Sequence, residues 1–143
     1  MNSGGQRYKH EDLTGRIIGA FYEVYNELGQ GFLASVYEKA LAVALAMGGL
    51  RVGRQVPIPV WFRGHQVGDF RADLLVEDVV ILELKADRVL EPVHEAQLLN
   101  YLRATAIEVG LLLNFGPQPQ VKRLVFDNSR KGPQRNTAAD ERR

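Results

Sequence analysis

The stretch Val79-Val-Ile-Leu-Glu83-Leu-Lys85-Ala86 decides the fold. Side chains alternate along a strand, so Val79, Ile81, Glu83 and Lys85 share one face; Val80, Leu82, Leu84 and Ala86 share the other. A run this apolar reads as a central strand covered on both sides. Two charges inside it cost several kcal/mol each unless something offsets them. On this strand alone, a structural Glu83–Lys85 pair on a half-exposed strand and a functional site stand level. Asp73, in the strand-like run Phe70-Arg-Ala-Asp73-Leu-Leu-Val76, tips the reading toward a site. The connection between the runs then matters. A two-residue loop at Glu77-Asp78 pairs Val76 with Val79 and turns Asp73 and Glu83 to opposite faces. A shared face requires a three-residue loop or a bulge.

Outward from this pair, the chain changes period twice. Leu13, Ile17, Phe21, Val24 and Leu28 mark an amphipathic helix over 12–28, broken by Gly29-Gln-Gly31. A second helix is expected from about Leu33 to Met47, with Val36, Ala40, Val43 and Met47 on one face and Gly48-Gly49 as its stop. Leu50 to Phe62 is β-rich but holds Pro57 and Pro59, which implies an edge strand. Arg63-Gly64-His65 reads as a hairpin tip. Glu91 to Thr105 is helical, with Pro92 suited to its first turn. Glu108 to Phe115 and Val121 to Phe126 complete the strands. The order α, α, β, β, β, α, β, β implies an α/β (α+β) fold with a central four- to five-stranded mixed sheet flanked by helices. A flexible segment over residues 1–10, one domain over 11–127 and a disordered polar tail over 128–143 are expected.

Composition narrows the chemistry. The 143 residues suit one domain with one core. With no cysteine, disulfides, thiolate metal sites and cysteine nucleophiles are excluded. No apolar run is long enough to span a bilayer. Met1 to Glu11 lacks the apolar segment of a signal peptide, so a cytoplasmic protein without a membrane partner is expected. A net charge of +1 gives no global field for nucleic acid, so any such contact must be local. Arg51, Arg54, Arg63, Arg71, Lys122 and Arg123 are candidates for a backbone-contacting patch, though scattered basic residues are commonly a solvated surface.

Asp73 followed by Glu83-x-Lys85 on a neighbouring strand resembles the core of the PD-(D/E)XK metal-dependent nucleases. The resemblance implies a restriction-endonuclease-like sheet and Mg²⁺- or Mn²⁺-dependent hydrolysis of phosphodiesters. Such chemistry takes hard oxygen ligands, here Asp73, Glu83 and the backbone carbonyl of Leu84. It also takes a positive group near the developing charge on phosphorus, here Lys85. On the following helix, His94, Gln97 and Tyr101 form one stripe. Gln97-x-x-x-Tyr101 is similar to the Q-x-x-x-Y signature of RecB-type nucleases. It implies that Gln97 joins the catalytic group and that Tyr101 supports the site or contacts the DNA; His94, near the helix start, is a candidate phosphate contact. The alternatives are a packed Tyr101 with its hydroxyl at the surface and a solvated His94.

Several segments together resemble the GxxExxY family of that superfamily. They are Gly31-Phe-Leu-Ala-Ser-Val-Tyr37-Glu38-Lys-Ala-Leu41, Gln55-Val-Pro-Ile, Asp73-Leu-Leu-Val, Glu83-Leu-Lys85, Gln97-Leu-Leu-Asn-Tyr-Leu and Gly110-Leu-Leu-Leu-Asn-Phe-Gly116. The match spans roughly residues 11 to 126. The Glu of that motif falls on Ala34. Glu38, one turn later on the same face, is a candidate metal ligand in its place; a capping box with Ser35 is the competing role. Three functions follow: a metal-dependent nuclease on DNA, a nuclease-fold protein that binds nucleic acid or protein without turnover, and an interaction module. The expected partners are nucleic acid, DNA in the first place, and a second copy of the chain.

Overall fold

The computed structural model describes residues 9–132. The expected flexible segment and tail therefore lie outside the described residues, apart from Lys9, His10 and 128–132. Helices α1 (Glu11–Leu28) and α2 (Ala34–Met47) come first. Strands β1 (Val52–Phe62), β2 (His65–Val76) and β3 (Val80–Lys85) follow, then helix α3 (Pro92–Ala104) and strands β4 (Val109–Phe115) and β5 (Pro119–Val125). One five-stranded sheet has the order β1-β2-β3-β4-β5. Only β3 and β4 run parallel, as the α3 crossover between them requires.

Two apolar layers cover the sheet. On one face Ile17, Phe21, Tyr37, Leu41 and Leu45 of α1 and α2 pack on Leu74, Val76, Val80, Leu82 and Leu84. On the other, Leu98, Tyr101 and Leu102 of α3 pack on Ile58, Ala72, Ile81 and Leu112. This double cover explains why β4 is buried along its whole length and why the central strands read as unbroken apolar runs. Two glycines mark close approaches. A Cβ on Gly110 would meet the Leu98 side chain at 2.8 Å, and one on Gly116 would meet the Asp87 carbonyl at 1.9 Å. Beside Gly116, fully buried Asn114 accepts from the Asp87 N–H and donates to the Asp87 carbonyl, each at 2.9 Å. The loop leaving β3 is thus clipped in place, which fixes the start of α3.

Four expectations are revised. The face of α2 carrying Val36, Ala40, Val43 and Met47 is not the core face: Val43 is 58% and Met47 83% exposed, whereas Tyr37, Leu41 and Leu45 are buried. The helix is apolar on both stripes, and the larger Tyr and Leu side chains take the core. The Ser35–Glu38 capping box is absent, because α2 begins at Ala34 with Leu33 as its cap, two residues before the start that box needs. Chain order also continues past residue 127. Asn128–Arg130 form a 3-10 turn, tied down where Glu108 accepts from the Asn128 N–H at 2.7 Å and Lys131 donates to the carbonyls of Thr105 and Ile107. Finally, His65 belongs to β2, leaving Arg63-Gly64 as a two-residue hairpin turn with φ of 50° and 80°, the left-handed pair that matches strand twist.

The connection between β2 and β3 is Glu77, Asp78 and Val79, so Val76 pairs with Val80. Glu77 and Asp78 both take left-handed φ, 53° and 59°. Glu77 is held there by accepting the Arg51 N–H at 2.6 Å. The third residue shifts the register by one and brings Asp73 and Glu83 to a common position.

Candidate active site

The β2–β3 ladder ends at the pair Leu74–Leu82. One step further the side chains take over from the backbone. The Glu83 carboxylate accepts the Asp73 N–H at 3.1 Å, and the Asp73 carboxylate accepts the Leu84 N–H at 2.9 Å. Each acid thus caps the other strand's backbone where the strands part. In a strand the N–H and C=O of one residue point to the same side, so the Leu84 carbonyl opens on the same gap. The pleat is also broken here. Ala72 packs in the layer under α3, while Leu74, two residues on, packs in the layer under α1 and α2.

Beyond Glu83, Lys85 donates to the Gln97 carbonyl oxygen at 3.4 Å, and the Gln97 amide donates to the Tyr101 hydroxyl at 3.0 Å. These contacts fix which way the amide points. The Tyr101 hydroxyl accepts from Gln97 and keeps its own hydrogen to give. Burial, then the nearby Glu83 charge, raise the Tyr101 pKa, so it stays a phenol through the neutral range. Gln97 and Tyr101 therefore lie with Lys85, as their stripe on the helix implied. His94 is turned elsewhere. Its Nδ1 accepts the Glu91 N–H at 3.0 Å and its Nε2 lies 3.3 Å from Asp87, so it closes the first turn of α3.

Glu38 is 6% exposed and bound by two β1 residues. Gln55 donates to it at 2.8 Å and Arg54 at 3.3 Å. The same Gln55 amide lies 3.4 Å from Asp73, so Gln55 bridges Glu38 to the carboxylate pair. Its φ is 53°, a left-handed conformation rare in a strand and costly for a residue other than glycine. The site-residue reading of the sequence missed Gln55, and a lone Gln in an edge strand carries no signal of such a role. Among the described residues, no three His, Cys, Asp or Glu side chains gather closely enough to hold a metal ion unaided. Glu38 does not close such a cage with Asp73 and Glu83.

The remaining donors, two carboxylates and one carbonyl, form the kind of set that Mg²⁺ accepts while keeping several waters. The electrostatics agree. Glu83 is 3% exposed. Burial first, then the Asp73 charge, push its pKa from 4.5 up to about 8; Lys85 and the bond from the Asp73 N–H offset only part. Lys85 alone therefore does not balance the pair, and its oxygens fit a hard divalent cation.

A family model described as the PD-(D/E)XK nuclease superfamily matches residues 11–124, from the first helix to the last strand. No curated protein and no solved structure matches the chain.

Proposed function

Given that the chain belongs to the PD-(D/E)XK nuclease superfamily, we propose that it hydrolyses DNA phosphodiester bonds with Mg²⁺ or Mn²⁺ at Asp73, Glu83 and the Leu84 carbonyl. The observation that carries this reading is the cross-strand capping in the opening between β2 and β3, where Glu83 accepts the Asp73 N–H and Asp73 accepts the Leu84 N–H. When bound, the ion supplies Lewis acidity and a more acidic water. The protein supplies the rest. Asp73 and Glu83, each held by a backbone N–H of the other strand, would hold the ion. Lys85 places positive charge where negative charge develops on phosphorus. Gln97 fixes the Lys85 ammonium and leaves the Tyr101 hydroxyl free to donate to a phosphate oxygen. Within the superfamily, the Gln97–Tyr101 contact and Tyr37 support assignment to the GxxExxY, RecB-like group. Tyr37 bonds Gly29 and Phe32 across the α1–α2 loop. Among the described residues no helix is long and apolar enough to cross a membrane, and we place the activity in the cytoplasm.

One observation favours a second reading, in which the fold binds nucleic acid or protein without turnover. Ala34 replaces the family acid, and Glu38 is engaged by Arg54 and Gln55 rather than by the pair. Incubation with plasmid, single-stranded DNA and RNA, with and without Mn²⁺, separates the two. We expect metal-dependent cleavage of DNA that Asp73→Ala removes. Mn²⁺ should also raise the melting temperature, with roughly 2.7 kcal/mol gained at a hundredfold excess over Kd. In Asp73→Ala that gain should disappear. Equal stabilisation of wild type and variant would place the ion elsewhere.

We further infer that a second copy of the chain covers the exposed stripe of α2. Leu33, Val36, Ala40, Val43 and Met47 recur at alternating spacings of three and four, the pattern of a helix–helix seam. A twofold dimer would pair this stripe with itself, so that each residue's contact is repeated on the other copy. Val43→Glu should yield a monomer by light scattering with its fold intact. A wild type that is monomeric at all concentrations would defeat the inference.

A further inference from the structure

We propose that the groove between the β1–β2 ribbon and α3 is a slot for one unpaired nucleobase, so that the substrate is single-stranded or locally opened nucleic acid. The proposal rests on the nuclease reading only for where the phosphate sits. β3 pairs with just Leu74–Val76 of β2, so the ribbon from Pro57 to Arg71 continues as two strands alone. Ile58 of that ribbon packs under α3. Phe70, its partner, stands at the open side and is 43% exposed. The Phe70 ring lies 5.7 Å from that of Tyr101, tilted by 40°.

Beside this ring contact is a cavity of about 340 Å³, lined by Phe70, Val93, His94, Gln97, Asn100 and Tyr101 among others. That volume lies at the small end of ligand sites. It is large enough for one base with its sugar. Its walls include the half-exposed Phe70 ring and the apolar side chain of Val93, which is 67% exposed. Its rim carries the amides of Gln97 and Asn100, which can meet the donors and acceptors of a base edge. No Asp or Glu lines it, so nothing there repels a polyanion. Gln97 and Tyr101 also belong to the Lys85 chain of hydrogen bonds. A phosphate drawn to Lys85 therefore has the slot one helix turn away. Inside a duplex both faces of a base are stacked and its edge is paired, so only an unpaired base can fill the slot.

The test is binding in EDTA, where a metal-dependent enzyme does not turn over, read by fluorescence anisotropy. The probes are oligothymidylate, an abasic sugar–phosphate strand of equal length, a plain duplex and a duplex with one bulged thymine. Phe70→Ala should weaken oligothymidylate by roughly 5- to 150-fold, the weight of one stacked base, and leave the abasic strand unchanged. Phe70→Trp should restore binding, which rules out a folding defect as the cause. Phe70-dependent binding of the bulged duplex would add flipped bases as a source; its absence would confine the slot to single strands. Equal loss on the abasic strand, or no loss on any probe, overturns the proposal. Cleavage with Mn²⁺ is scored separately. An active enzyme indifferent to Phe70 sinks the slot alone, and an inert protein with Phe70-dependent binding sinks only turnover.

Discussion

In a chelator, the wild-type protein should lose stability steadily as the pH rises from about 5 to about 8, and Glu83→Gln should not. Burial, then the charge of Asp73, raise the folded pKa of Glu83 from 4.5 to about 8. Across that window the folded carboxyl keeps its proton, while the unfolded one releases it. The unfolded state then binds fewer protons, so stability is full below the unfolded pKa and is lost as pH rises through the folded one. The loss is at most about 5 kcal/mol, at 1.36 kcal/mol for each unit. Glutamine is isosteric and cannot ionise, and its carbonyl still accepts the Asp73 N–H. Near pH 8 in EDTA the variant should therefore be the more stable protein. Mn²⁺ should reverse the order, because the cation offsets the ionised carboxylate in wild type and finds a weaker ligand in the variant. Urea titrations at several pH values, with and without Mn²⁺, read both effects. A wild-type profile flat in pH would mean that Glu83 is ionised without a metal.

The same residues show what could be read from the sequence and what could not. Asp73, Glu83, Lys85, Gln97 and Tyr101 were legible as a group through the resemblance to the nuclease core and the Q-x-x-x-Y signature, while periodicity placed only Glu83 with Lys85 and Gln97 with Tyr101; hydrogen bonds link Asp73 to the Glu83 strand and Lys85 to Gln97 and Tyr101. The β2–β3 register was legible only as a condition. Glu77-Asp78 looks like a two-residue turn and both residues take the left-handed φ of one, but Val79 stays outside the ladder and Val76 pairs with Val80. The inner face of α2 was misread for a simple reason. Both Val36/Ala40/Val43/Met47 and Tyr37/Leu41/Leu45 repeat at helical spacing, and periodicity cannot rank two apolar stripes. Packing volume decides, and Tyr37 stacks on Phe115 with ring centroids 4.3 Å apart. Gln55 was invisible as a site residue because its role depends on a backbone irregularity. The left-handed turn at Gln55 lies where the pleat of β2 breaks at Asp73, and a long-range bridge of this kind has no sequence period.

Lys85→Ala should lower the cleavage rate by on the order of 10²–10³-fold while leaving Mn²⁺-induced stabilisation nearly intact. Lys85 reaches the site through its ammonium, 3.4 Å from Gln97 and outside the carboxylate cross-links. Its charge therefore acts on the transition state rather than on the ion. Glu83→Ala differs in kind, because it removes a ligand and should abolish both cleavage and the metal response. Ala34→Glu tests the remaining departure from the family. Positions 34 and 38 share a helix face, and Glu38 on that face already reaches Gln55, which touches Asp73. A carboxylate at 34 should therefore raise activity or metal affinity, through the same Gln55 bridge or by joining the ion's shell. The three variants belong on one set of substrates. Activity in Ala34→Glu alone would make the natural chain a disabled member of an active family. Stable folding with no cleavage by wild type or Ala34→Glu, on DNA or RNA with either metal, would transfer the site to binding. In that case the carboxylate pair would serve to hold a cation that neutralises a bound phosphate.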